Sequence, residues 1–274
     1  VIFMPVLMCR PDYFSVDYEI NDWMSRENQP SKILSMIPWW RLFGIYNTFG
    51  YNVRLIEEVE GLPDMVFTAN AGLVYKNKFI PSNFYHAERR GEREHFKNFF
   101  QESGYEIVNL PPDVFFEGQG DALWISENKL LLGYGRRTSE AVIEHLKAIM
   151  PDCEIIPIKM VHEPTAEKPK EFYHLDTVLC HLPMTNTFLV YPGALSPEAM
   201  ETIRSLGETI EAAYPEAEKL ICNSVAIGKY ILMPIGETSR FVELLNERGY
   251  KVFLIEMSEF LKAGGAVRCL SFFY

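Results

Sequence analysis

The sequence predicts an α/β protein built as a ring of five ββαβ units, and three observations carry that prediction. A hairpin, helix and strand recur in order; the matching starts Gly72, Ala122, Thr177 and Ser224 lie roughly 50 residues apart, the period of ring-like and stacked repeats. The two ends of the chain supply the strands of a fifth unit, and joining them removes open sheet edges. The helical segments are short and polar on one face, as helices of an outer layer would be.

Residues 1–8 are an apolar run containing Pro5, which reads as a strand near a sheet edge. Cys9-Arg10-Pro11-Asp12 ends it, and an aromatic and acidic loop follows to Asn28. Lys32 to Thr48 has helical spacing of apolar residues, and Tyr51 to Val59 alternates as a strand. Phe67 to Pro81 reads as two short strands joined at Lys76-Asn77-Lys78, followed by a helix from Glu88 to Ser103 and a strand from Tyr105 to Leu110. Asp121 to Tyr134, turning near Glu127-Asn128, leads into the helix Ser139 to Met150 and the strand Cys153 to Ile158. Asp176 to Tyr191 makes a third hairpin, before the helix Pro197 to Ser205 and the strand Lys219 to Cys222. Ser224 to Pro234 makes the fourth, followed by the helix Thr238 to Arg248 and the strand Tyr250 to Ile255. Ala266 to Phe273 then pairs with Ile2 to Met8 to close the ring. No linker divides the chain, so 1–274 is expected to be a single domain; the competing topology is an open α/β sheet.

With 48% hydrophobic residues, the chain can bury a sizeable core. Its net charge of -11 argues against nucleic acid, whose phosphates call for clustered Lys and Arg. No basic leader with an apolar run and no membrane-length apolar stretch occurs, so a soluble, cytoplasmic protein is expected. The five cysteines are scattered and never spaced as CxxC, and the six histidines include no HxxxH pair. Neither a disulfide framework nor a metal motif follows, which points to metal-free chemistry without a cofactor.

In a ring of such units, the segments that begin each inner strand face a common centre. Those segments carry Asp64 and Asn70, Glu117 and Asp121, His174 and Asp176, and Cys269. A carboxylate beside the glycines of Glu117-Gly118-Gln119-Gly120-Asp121 sits where backbone and ligand can approach closely; a tight turn capped by Asp121 is the plainer reading. His174 and Asp176 would share one face of a strand. Cys269 behind Gly264-Gly265 has the look of a thiol at a pocket mouth, although a lone cysteine more often packs as a small hydrophobe.

These segments, Leu62-Pro63-Asp64-Met65-Val66-Phe67-Thr68-Ala69-Asn70, Glu117-Gly118-Gln119-Gly120-Asp121, His174-Leu175-Asp176 and Arg268-Cys269-Leu270-Ser271, occur in the order found in the guanidino-modifying branch of the pentein superfamily, which the chain resembles over essentially its whole length. That family comprises arginine and agmatine deiminases, dimethylarginine dimethylaminohydrolases, amidinotransferases and arginine dihydrolases. The resemblance implies a pentein α/β propeller, five ββαβ units around a pseudo-fivefold axis, forming one catalytic domain over 1–274. It implies that Cys269 attacks the guanidinium carbon, that His174 protonates the leaving amine and activates water, and that Glu117 orients the imidazole or the guanidinium. It further implies that Asp176 grips the guanidinium, that Asp64 lies buried near the substrate, and that Arg90 and Arg137 hold an α-carboxylate, with Arg89 and Arg136 leaving that register open. Asn21, in an early loop with Asp17 and Tyr18, is a positional candidate for contact with an amino-acid ligand. The implied partner is a small guanidino compound such as L-arginine, with no membrane; a homo-oligomer stays open.

Many deiminases of the family carry Asp where this chain has Asn70. The segment Phe67-Thr68-Ala69-Asn70-Ala71-Gly72 resembles arginine dihydrolases, which take arginine through two hydrolyses to ornithine, ammonia and carbon dioxide. An uncharged amide removes one negative group from a cation site, so a citrulline-like intermediate is expected to be processed again. The alternatives are a deiminase or dimethylargininase stopping at citrulline, an amidinotransferase, and a non-catalytic pentein binding protein. Dihydrolases of this type can continue into further domains, so the chain is either a catalytic portion or a short stand-alone form.

Overall fold

Every repeat pairs its strands in the same way, the first antiparallel to the second and the second parallel to the third. The computed structural model describes residues 5–161 and 164–274, so the beginning of the predicted first strand, residues 1–4, lies outside the described residues. The chain opens with β1 (Pro5–Cys9), α1 (Lys32–Thr48) and β2 (Asn52–Ile56). The next unit is β3 (Gly72–Tyr75), β4 (Lys78–Pro81), α2 (Glu92–Glu102) and β5 (Glu106–Ile107), followed by β6 (Ala122–Ser126), β7 (Lys129–Tyr134), α3 (Val142–Ile149) and β8 (Glu154–Lys159). The fourth holds β9 (Leu179–Leu182), β10 (Thr187–Val190), α4 (Pro197–Leu206), β11 (Glu208–Glu211) and the one-turn α5 (Tyr214–Ala217). The last holds β12 (Val225–Ile227), β13 (Tyr230–Pro234), α6 (Ser239–Glu247), β14 (Lys251–Ile255) and the one-turn α7 (Ser258–Leu261). Finally β15 (Phe272–Phe273) returns to β1, pairing Val6 with Phe273 and Leu7 with Phe272, so the first unit borrows its inner strand from the end of the chain. Five three-stranded sheets result, giving five ββαβ units around a pseudo-fivefold axis.

The reasons are local. Lys76 and Gly228 take positive φ in two-residue turns, the backbone that matches the twist of adjoining strands. Middle strands such as β13 are buried almost throughout, while outer strands such as β14 half-bury alternate residues and fully bury only Ile255. Ser31 caps α1, its hydroxyl accepting from the Leu34 N–H. Closure is cemented by aromatic packing: Phe79 stacks on Phe100 with centroids 3.9 Å apart, and Phe100 meets Phe272 at 5.4 Å. On the outside, Ile33, Ile37 and Trp40 of α1 are exposed. No helix among the described residues is long and apolar enough to cross a membrane.

Three expectations change. The predicted strand Lys219 to Cys222 is a turn, and the third strand of its unit is β11, which follows directly on Gly207 at the end of α4. The apolar run is buried, but Leu220 sits at φ 55, outside any strand conformation. Of the predicted strand Ala266 to Phe273 only the last two residues pair; Ala266 to Ser271 turn, with Leu270 N–H donating to Ala266 and Ser271 N–H to Arg268. His174 and Asp176 do not alternate on a strand: His174 caps a 3-10 turn, Leu175–Thr177, that precedes β9. Similar turns, Thr68–Ala71 and Gly118–Gly120, precede β3 and β6, and the three pack together at the centre of the ring.

Candidate active site

Short turns, not strands, carry the polar residues inward. Ending a repeat in a tight turn before its inner strand leaves side chains free to point along the ring axis. Asn70, His174 and Cys269 line one small cavity together with Asp64, Arg89, Arg137 and Asn21. Glu117 and Asp176 stand directly behind, each touching a lining residue.

Glu117 is fully buried. One of its oxygens lies 2.6 Å from His174 Nε2 and 3.3 Å from Arg137 Nη1, and the other accepts the Tyr85 N–H at 3.1 Å. Burial alone would raise this carboxyl; Arg137 and the His174 hydrogen bond outweigh it and hold the group well below the usual carboxylate range. An ionised acceptor at Nε2 places a proton there, which leaves Nδ1, buried and without a partner among the described residues, as the nitrogen able to accept one. Gly120 lies against both neighbours: a Cβ there would come within 2.5 Å of Asn70 Nδ2 and 3.0 Å of His174 Nδ1.

The orientation of the Asn70 amide is settled by Arg89. That guanidinium forks onto Glu92 with two 2.8 Å bonds and donates a third, also 2.8 Å, to Asn70 Oδ1. A donor facing the amide demands its oxygen, so Nδ2 points away from Arg89 and is a buried donor without a partner among the described residues. Asp64, whose backbone oxygen also accepts from Arg89, is raised by burial against the pull of Arg89.

Cys269 Sγ lies 3.6 Å from Asp176 Oδ2 and 3.1 Å from Asn223 Nδ2. Burial and then the Asp176 charge push the thiol up, so it rests protonated. Asp176 is itself pushed to about 7 by burial, against the opposing effect of Arg268, and its Oδ1 has no partner among the described residues. The outer wall is formed by Arg137, stacked 4.2 Å over Tyr173, and by Asn21, whose amide donates to Ala263 O at 3.1 Å. Gly264 makes that closure feasible: at φ +81, a Cβ would lie 2.7 Å from Tyr173 Oη and 2.8 Å from Asn21 Oδ1.

The profile of the family described as N,N dimethylarginine dimethylhydrolase, eukaryotic, matches residues 10–272. The chain belongs to this family. Among curated relatives it is 37% identical over 97% of its length to the bifunctional arginine dihydrolase/ornithine cyclodeaminase ArgZ of Synechocystis, of which it spans only 37%. It is 32% identical over 96% of its length to the N(G),N(G)-dimethylarginine dimethylaminohydrolase of Mycobacterium tuberculosis, covering 83% of that protein. Among solved structures, the N-terminal domain of ArgZ, an arginine dihydrolase of cyanobacteria, superposes with a TM-score of 0.90 at 35% identity, covering 98% of this chain and 97% of that one.

Of the residues singled out from sequence, Cys269, His174, Glu117, Asn70, Asp176, Asp64, Arg137 and Asn21 are thus gathered at one place. Arg90 is not. It is exposed and donates to the backbone oxygens of Phe84 and Tyr85, while its neighbour Arg89 is buried in the cavity wall. Consecutive residues of the 3-10 turn Ala87–Arg89 point in different directions, so only one arginine can face inward. Arg137 is likewise the inner member of its pair; Arg136 forms an ion pair with Glu171. Asp121 keeps the plainer role of a cap, accepting from Leu175 N–H and the Thr138 hydroxyl. Asn223 is absent from the sequence-derived set, although it sits immediately before the fourth hairpin, where the other repeats carry Asn70, Glu117 and His174.

Proposed function

We propose that the chain is an arginine dihydrolase domain, a cysteine-dependent hydrolase that converts L-arginine and two waters to ornithine, two ammonia and carbon dioxide. The observation that carries this reading is the Asn70 amide, held by Arg89 so that an unpartnered N–H donor faces the cavity beside His174 Nδ1. A guanidinium has only donors to offer such a group, whereas a ureido oxygen or a water accepts from it. The relatives support the reading: a cysteine-to-serine variant of the ArgZ domain is bound to substrate, and an asparagine-to-serine variant is covalently joined to a reaction intermediate.

Cationic substrate entering beside Asp176 supplies the positive charge that the buried thiol lacks, which favours the thiolate. The thiol proton passes to His174 Nδ1 as Sγ attacks the guanidinium carbon; Nδ1 returns that proton to the amine of the tetrahedral adduct, the C–N bond breaks, and ammonia departs to leave an S-alkylthiouronium. His174 then takes a proton from water attacking the same carbon. The C–S bond breaks, leaving a ureido product and the restored thiol. Asn70 then holds the ureido oxygen while Sγ attacks the same carbon again; a second ammonia leaves, a second water cleaves the thiocarbamate C–S bond, and the resulting N-carbamate loses carbon dioxide to give ornithine and the restored thiol. Glu117 confines the exchange to Nδ1, and Arg137 with Asn21 faces the amino-acid end.

Residues 1–274 acting as a single catalytic ring belongs to this proposal, supported by the closure of β15 on β1. A cytoplasmic location does too, since five free thiols suit a reducing compartment. Incubation with L-arginine tests the function: ornithine with two ammonia per arginine is expected. Citrulline accumulating without ornithine, or turnover confined to methylated arginine, overturns it in favour of a deiminase or dimethylargininase.

A further inference from the structure

Four of the five turns have a stated task, and the turn that opens the last unit contributes a fifth side chain that the reaction does not use. Asn223 is fully buried in the turn that leads into β12. Its Oδ1 accepts the backbone N–H of Cys269 at 3.1 Å, and its Nδ2 donates to Cys269 Sγ at 3.1 Å and to Asp176 O at 3.1 Å. Its backbone oxygen accepts the Arg268 N–H at 3.2 Å. The amide cannot be reversed, because the Cys269 N–H requires an acceptor opposite it. Both ends of one planar group therefore grip one residue, the oxygen fixing its backbone and the nitrogen aimed at its sulfur.

We infer that Asn223 is a further catalytic group, which clasps Cys269 and stabilises its thiolate through the Nδ2–H···Sγ hydrogen bond. The need for such a donor is visible in the surroundings. Asp176 faces the sulfur from the third hairpin turn with a charge of the wrong sign; His174 and Tyr173 come from the same segment, and Asp64, Arg89 and Arg137 from the remaining cavity wall. Arg268 is the nearest cation in sequence, but its guanidinium is directed to Gln119 Oε1 and Ser271 O. Asn223 is the side-chain donor that reaches the sulfur among the described residues. The bond also strengthens as negative charge develops on sulfur, so it favours the reactive form over the resting thiol.

The inference rests on Cys269 being the nucleophile, and its test is independent of the substrate. Asn223→Asp keeps shape and the Oδ1 acceptor but turns an oxygen toward Sγ; Asn223→Ala removes both contacts. The rate at which iodoacetamide modifies Cys269, followed by peptide mass spectrometry across pH, reads the thiolate. The expected result for Asn223→Asp is a folded protein of lower thermal stability, since the bond to Asp176 O is lost as well, whose modification slows roughly three-fold or more at each pH, the nucleophilicity of a more basic thiolate offsetting part of the lost population. With L-arginine, kcat should fall about ten-fold or more, the acid limb of the pH profile should move upward, and KM should change little. Should Asn223→Ala fail to fold, Asn223→Asp decides. A folded Asn223→Asp protein with modification rate, pH profile and kcat within two-fold of wild type overturns the inference. A protein inert towards L-arginine but showing the slowed modification would refute the substrate reading and leave the clasp standing.

Discussion

Replacing Asn70 by aspartate alters the site by one polar group and leaves its shape intact. Arg89 Nη1, 2.8 Å from Oδ1, retains its acceptor, so the side chain stays in place and the change falls on the cavity-facing atom. There an N–H donor becomes a carboxylate oxygen. For cationic arginine this adds attraction; for a ureido oxygen it converts a hydrogen bond into repulsion between acceptors. Losing such a bond in a buried site is worth about 1.5–3 kcal/mol, which corresponds to a roughly 10- to 150-fold slower second hydrolysis. Chromatographic time courses of arginine, citrulline and ornithine, started separately from arginine and from citrulline, measure the two steps apart. Asn70→Asp is expected to consume arginine at a comparable rate, accumulate citrulline and barely act on added citrulline. Ornithine formed from citrulline at the wild-type rate would refute the argument that amide orientation decides the product.

Arg89→Ala should cost about 3–5 kcal/mol in denaturant unfolding, since it strands the buried Glu92 carboxylate without its partner; Arg90→Ala, at an exposed position, should stay within about 0.5 kcal/mol. His174→Ala should lower kcat by roughly 10²–10⁴ while L-arginine still raises the melting temperature. Stability without ligand should decline as pH rises from about 4 to 7. Burial raises Asp176 to about 7 and Asp121 to about 6, so both carboxyls favour the fold while protonated and lose that contribution as pH climbs through those values. Thermal melts across this range should show the fall, Asp176→Asn should lessen it while leaving the Asp121 part, and L-arginine at pH 7 should recover part of it by supplying a cation.

Much of the ring was legible because a repeat announces itself several times. The hairpins starting at Gly72, Ala122, Thr177 and Ser224 appear as paired apolar runs with turn residues between, and each supports the reading of the others. Where a unit lacked such support, the reading slipped. The run Lys219 to Cys222 is as apolar as a strand, and only the positive φ of Leu220 shows that it turns. Its misassignment hid Asn223, which follows directly. Arg89 and Arg90 are chemically the same in sequence, and burial separates them only because Glu92 and Asn70 stand on one side of the turn.

The sequence by itself determined the number and order of the units and the chemical inventory at their centre: a thiol, an imidazole, carboxylates and, at position 70, an amide. These follow from periodicity and residue type, which are local. Tertiary structure alone decided which arginine faces inward, which end of the Asn70 amide faces the cavity, and that a second amide, Asn223, holds Cys269. Each of those is a direction in space set by a partner distant in the chain: Arg89 for Asn70, Cys269 for Asn223. A hydrogen bond depends on where donor and acceptor meet, and the packing of the five turns brings these together.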